Sequence, residues 1–153
     1  GPCRVEKTDL GEVLDHALMA LRVAVRDASA AVVVPADLPT AVCDPTLVRQ
    51  LLQNLVGNAV KYRRPDRPCR VTVSAEPAGG GWQVSVTDNG PGIPPAERNR
   101  VFEMFARVDG ATGGGHGVGL STCQRIVDRH GGRIWVDAGD DGGTTVSFTL
   151  PGA

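Results

Sequence analysis

Apolar residues recur at helical spacing in three stretches of the chain and alternate with polar ones in several others. Leu14, Ala17, Leu18, Leu21, Val25 and Ala28 form a stripe with a period of about 3.6 residues, which predicts one amphipathic helix. Ahead of it, Asp9-Leu10-Gly11-Glu12 reads as a capping box, with Asp9 as the cap and Glu12 reaching back. A second helix is predicted from Asp44-Pro45, a cap followed by a proline that the first turn tolerates. Its apolar face is broad: Leu47, Val48, Leu51, Leu52, Leu55, Val56, Ala59 and Val60. The RRPDRP run at 63–68 ends it. Leu120, Cys123, Ile126, Val127 and His130 give a third helix. Alternation predicts a strand pair at 70–75 and 82–88, joined through Gly79-Gly80-Gly81, and a closing hairpin at 133–136 and 144–150. A short β run at 32–34 stops at Pro35-Ala36-Asp37-Leu38-Pro39. Between Pro94 and Gly114 the pattern is poor. Only Val101, Phe102, Met104 and Phe105 stand out, so a flexible lid pinned by two aromatics is expected, with Arg98, Arg100 and Arg107 along it.

Polar residues placed against this pattern carry the candidate chemistry. Gly113, Gly114, Gly115, Gly117 and Gly119 crowd the chain just before the helix expected from Leu120. A glycine loop entering a helix N-terminus offers unpaired backbone N–H groups to an anion, phosphate above all. The same glycines also suit a mobile linker. They match neither G-x-G-x-x-G nor a Walker A loop, which speaks against a dinucleotide fold or a P-loop. On the second helix, Asn54, Asn58 and Lys61 lie within about 60° of one another beside the apolar face. The second strand ends in Asp88-Asn89-Gly90-Pro91-Gly92, which is both an ordinary turn and a carboxylate with room for a flat ring. A carboxylate accepts from the exocyclic amino group of adenine, where guanine has a carbonyl. His16 falls off its helix's stripe and reads as a solvated surface residue rather than a phospho-acceptor.

Composition narrows the picture further. With 153 residues the chain has the size of one domain, and a net charge of −1 gives no electrostatic reason for nucleic-acid or membrane binding. No apolar run approaches membrane-spanning length. Cys3, Cys43, Cys69 and Cys123 are far apart, with no C-x-x-C, which argues against zinc and for reduced thiols in a cytoplasmic compartment. Lysine occurs only at Lys7 and Lys61. The chain opens Gly1-Pro2 without Met, like a protease-cleavage scar, so residues 3–153 are expected to be one domain cut from something longer.

Taken in order, Asn54…Asn58…Lys61, Asp88-x-Gly90-x-Gly92, Phe102…Phe105, Gly115-x-Gly117-x-Gly119 and Gly143-Thr144 resemble the five boxes of the sensor histidine kinases' ATP-binding catalytic domain, in the GHKL superfamily. The likeness spans Val5 to Pro151 and is greatest to soluble PAS- or phytochrome-linked kinases. It implies an α/β fold: a two-layer α/β sandwich of the Bergerat type, with a mixed sheet, helices on one face and an ATP lid. It also implies ATP and Mg²⁺ as ligands. Asp88 would receive the adenine amino group, assisted through water by Thr144, with Gly90 and Gly92 letting the ring approach. Asn58 would hold Mg²⁺, and Lys61 and the lid's Arg107 would meet phosphate. Gly115, His116, Gly117, Val118, Gly119 and Leu120 would line the phosphates, the three glycines through backbone N–H groups. Asn54 stands where hydrolytic relatives hold a glutamate. An amide is no general base, so transfer to a histidine is favoured over hydrolysis.

Two departures from the family pattern are visible, His116 in place of Thr or Ser and Asp141 in place of a glycine. No phosphoacceptor box is present, so the resemblance implies partners: a histidine-bearing dimerisation domain of the same protein and a response regulator. The isolated domain would be a monomer unable to phosphorylate itself, and the parent a homodimer. The competing readings are a GHKL ATPase or anti-sigma-type serine kinase, and a degenerate docking domain.

Overall fold

The structure is a computed structural model that describes residues 3–100 and 116–151. The chain enters as strand β1 (Glu6–Asp9) and passes directly into helix α1 (Leu10–Ala20). Asp9 caps that helix as its sequence predicts, accepting from the backbone N–H of Gly11 and Glu12. The reciprocal bond from Glu12 is not made. The single helix expected through Ala28 breaks at Leu21, and helix α2 (Arg22–Asp27) continues it. The bend keeps the far half of the stripe (Leu21, Val25 and Ala28) packed on the core, which a straight rod would carry past. His16 is exposed.

Strands β2 (Ala31–Val33) and β3 (Thr40–Cys43) follow, then the long helix α3 (Pro45–Lys61). Asp44 caps α3, its Oδ1 accepting from Thr46 N at 3.0 Å and Leu47 N at 3.1 Å. Beyond it come β4 (Arg70–Ala78), β5 (Gly81–Asp88), a 3-10 turn (Pro95–Arg100), α4 (His116–Arg129), β6 (Ile134–Ala138) and β7 (Thr144–Leu150). Helix α4 begins at His116 rather than at Leu120. Gly117 and Gly119 therefore belong to its first turn, where backbone N–H groups have no intrahelical partner and a glycine's missing side chain costs least.

Five strands form one sheet in the order β2-β4-β5-β7-β6, with β2 parallel to β4 and every other neighbour antiparallel. One face is apolar. Val71, Val73, Val84, Val86, Phe148 and Leu150 are buried there in one core with Leu14 of α1, Leu51, Leu52, Leu55 and Val56 of α3, and Ile126 and Val127 of α4. The opposite face pairs hydroxyls across strands, Ser85 with Ser147 at 2.9 Å and Thr87 with Thr145 at 3.0 Å. A sheet with one polar face alternates, which is why these strands were readable. The mixed sheet under one layer of helices is the two-layer α/β arrangement expected.

A small second sheet, β1 paired antiparallel with β3, escaped the sequence reading. Its strands are four residues each, and β1 (EKTD) buries only Thr8, so no alternation reveals it. Helix α3 packs between α1 and α4. His130, just past α4, ties the two helices' remote ends together. Its Nε2 accepts from Asp44 N at 3.0 Å, so the proton sits on Nδ1 and is donated to Ile126 O at 2.8 Å.

Candidate functional site

Between the C-terminal half of α3, the end of β5 and the start of β7 lies a cleft of about 260 Å³. Helix α3 contributes Leu55, Asn58 and Ala59 and its C-cap Tyr62, the turn after β5 contributes Pro91, Gly92 and Ile93, and Leu120, Thr144 and Val146 close it. These walls are mainly apolar. Asp88 is the acid set among them. A hollow at the start of α3, lined by Arg4, Glu6, Asp44 and Arg129 among others, measures about 340 Å³. There the Asp44 carboxylate is already taken up by backbone N–H groups.

Asp88 is the last residue of β5, paired with Val71 of β4. Its Oδ1 accepts twice, from Gly90 N at 2.9 Å and from Thr144 N at 3.2 Å. Its Oδ2 has no hydrogen-bond partner among the described residues. Burial pushes the Asp88 carboxyl above the ordinary aspartate range, the two N–H donors pull the other way, and the nearby Asp140 charge adds to the rise. A half-satisfied, desolvated acid in an apolar cleft is an acceptor with one free lobe.

Asn58 on α3 and Tyr62, the residue that caps its C-terminus four positions on, both line the cleft, Asn58 half-buried. The Asn58 Nδ2 is buried without any hydrogen-bond partner. Oxygen and nitrogen of an amide exchange places by a half-turn of its terminal bond, so this position can present either a donor or an acceptor to a ligand. Asn54, a turn earlier, instead meets the thiol of Cys123 on α4. Burial holds that thiol up to about 12, so it stays protonated. Tyr62 was not singled out in the sequence, although its i+4 spacing from Asn58 would have marked it.

Lys61 is not among the residues lining the cleft. Its side chain is exposed, with Nζ 5.2 Å from the Tyr62 ring centroid, and it borders the groove between α2 and α3. The reason is angular, since Lys61 stands about 60° round the helix from Asn58, toward α2. The first-box glycines also serve another purpose than ring clearance. A Cβ on Gly92, whose φ is +79°, would fall 2.3 Å from Gly142 O. One on Gly90 would fall 3.1 Å from Asp88 Oδ1. Both glycines admit close protein neighbours, and Gly92 lines the cleft as well.

Thr144 reaches Asp88 through its backbone N–H, and Leu120 lines the cleft from α4. His116, Gly117, Val118 and Gly119 place their backbone in the first turn of α4. Arg107, Gly115, Phe102 and Phe105, with the lid from 101 on, lie outside the described residues. Among the described residues no group of three or more His, Cys, Asp or Glu is arranged to hold a metal ion. A cation held by one amide oxygen and the ligand's own oxygens would fit the residues present with the Asn58 amide turned, so that its oxygen stands where the unpartnered Nδ2 now is.

Comparison with known proteins bears on this geometry. Residues 43–153 match the family described as Histidine kinase-, DNA gyrase B-, and HSP90-like ATPase. The adaptive-response sensory kinase SasA of Trichormus variabilis is 42% identical over 119 residues, 77% of this chain and 29% of that protein. Cyanobacterial phytochrome A of Nostoc sp. is 37% identical over 145 residues, 94% of this chain and 19% of that protein. The chain thus spans under a third of either relative. Among solved structures, the mycobacterial sensor histidine kinase MprB superposes with a TM-score of 0.79 at 33% identity, covering 97% of this chain and 98% of that one. Full-length ShkA in complex with AMPPNP gives 0.80 at 30% identity, covering 97% and 31%.

Proposed function

The chain belongs to the histidine kinase-, DNA gyrase B- and HSP90-like ATPase family, and on that premise we propose that its cleft binds ATP and delivers the γ-phosphoryl group to a histidine on a separate dimerisation domain. The observation that carries the reading is Asp88. Its Oδ1 is committed to Gly90 N and Thr144 N, which leaves Oδ2 to accept the adenine amino group between Tyr62, Ile93 and Val146. ShkA, solved with AMPPNP, is a relative that takes an ATP analogue.

With adenine there, the triphosphate runs along α3 toward the first turn of α4. The backbone N–H groups at the start of α4, from His116, form the positive end of its dipole and suit phosphate oxygens. Asn58 would hold Mg²⁺ through its amide oxygen, and the ion when bound neutralises phosphate charge. Lys61 reaches the phosphates only by leaving the Tyr62 ring, a rotation its exposed stem permits. Arg107 and Gly115 complete the phosphate side in this proposal. An acceptor imidazole attacks the γ-phosphorus, the bond to the β–γ bridging oxygen breaks, and ADP leaves. Asn54, which cannot take a proton from water, would orient the neutral imidazole once it leaves the Cys123 thiol, so intrinsic ATP hydrolysis is very slow.

Residues 3–153 act as one catalytic module in this proposal. The partners of the whole protein are then the dimerisation domain and a response regulator. No helix among the described residues is long and apolar enough to cross a membrane. The test mixes this chain with γ-labelled ATP and a separately made acceptor helical domain. Acid-labile, base-stable label on the acceptor is expected, with none on this chain alone. Acid-stable label would replace the reading by a serine kinase, and absence of both label and nucleotide uptake by a docking module.

A further inference from the structure

We propose that Arg67 is a positioning residue for Asp88, acting through the 140–144 turn to set the purine preference of the cleft; the proposal rests on the reading of Asp88 as the adenine acceptor.

The loop from α3 to β4 is held at one end by Asn89, the residue after Asp88. Asn89 Oδ1 accepts from Arg70 N at 2.9 Å and its Nδ2 donates to Pro68 O at 2.8 Å. From this fixed loop Arg67 Nη1 reaches across and donates to Asp141 O at 3.0 Å. Asp141 has φ 48° and ψ 41°, a left-handed conformation in the place where the family pattern expects glycine. Aspartate tolerates that region at a modest cost, and the Arg67 bond is the described hydrogen bond that reaches the residue from outside the turn.

The turn then delivers two contacts to Asp88. Gly143 packs so closely on Asp88 that a Cβ there would fall 2.0 Å from Asp88 O. Thr144 N donates to Asp88 Oδ1. The connections close a ring that starts at β5, runs through Asn89, the loop, Arg67 and the turn, and returns to the carboxylate. Releasing Arg67 lets the turn and Thr144 N drift, and the carboxylate gains freedom to rotate. A rotating carboxylate distinguishes an amino group from a carbonyl less well. Arg67 touches no nucleotide in this scheme.

The experiment titrates fluorescent-labelled ATP and GTP into this chain and its Arg67→Ala and Arg67→Lys variants, and follows exchange of the Thr144 amide hydrogen by NMR. Arg67→Ala is expected to weaken ATP about fivefold with GTP unchanged, and to speed Thr144 exchange. Arg67→Lys, which keeps a donor for the Asp141 carbonyl, restores both. Equal weakening of the two nucleotides, or unchanged ATP affinity, would overturn the proposal. A wild-type chain that takes neither nucleotide would overturn the ATP reading. In that case faster Thr144 exchange in Arg67→Ala would still uphold the tie to the turn, and unchanged exchange would end it.

Discussion

At the scale of single residues, Asp88 shows how a binding group is held at a cost to the fold. Burial raises its pKa, so the ionised form is disfavoured in the folded chain relative to the unfolded one. The sign follows: stability contributed by the protonated form is present at low pH and is lost as pH rises through the raised folded value. Asp88→Asn therefore should melt no lower than wild type at neutral pH, while ATP affinity falls about 10- to 100-fold with the charge-assisted acceptor gone. Calorimetric titration beside a thermal melt reads both. In the wild type, ATP binding should weaken on acidification from a higher pH than an ordinary aspartate would impose. Asn58 is the complementary case, an amide left without a partner in the same cleft. Both residues were legible in the sequence by their neighbours, one at a strand end beside glycines and the other beside an apolar stripe. Their unsatisfied atoms were not, because satisfaction depends on what other segments bring.

Among the elements, α3 organises the molecule, and Asp44 is its anchor. The side chain accepts from Thr46 N and Leu47 N, and its Oδ2 takes Arg4 N at 2.9 Å. Desolvation pushes the Asp44 pKa up, but the N–H groups of Arg4, Leu47 and Thr46, with His130 beyond, outweigh it and hold the carboxyl below its ordinary range. That stability is present above the unfolded pKa and is lost as pH falls through the lower folded value. Asp44→Ala should cost about 2 kcal/mol at neutral pH, seen in chemical denaturation, and the gap to wild type should narrow at strongly acid pH. The helix, its cap and its proline were readable because capping is local. The break at Leu21 and the strands β1 and β3 were not. The first follows from packing on α3, and the second from pairing between four-residue segments more than thirty residues apart.

Across the whole molecule, close approach of distant backbones shapes the cleft. Gly143 sits against Asp88 O with ordinary φ, so crowding alone demands glycine there. Gly131 has φ +72° and open space around a built Cβ, so conformation alone demands it. Gly143→Ala should cost about 3 kcal/mol or more and abolish nucleotide uptake, since β5 and the turn must part. Gly131→Ala should cost about 1 kcal/mol and leave uptake intact. Melting curves and nucleotide titration of the two variants check the contrast.

The amino-acid sequence by itself determined the helical stretches with the caps Asp9 and Asp44, the alternating strands, and the order of the boxes that made the family recognisable. All of these are written in neighbours or in near periodicity. Only the tertiary structure decided that Gly92 packs against Gly142, that Lys61 rests on Tyr62 outside the cleft, and that Arg67 grips the turn beside Asp88. Such contacts join segments with no shared local pattern, and the sheet's strand order, which brings β5 beside β7, is what makes them meet.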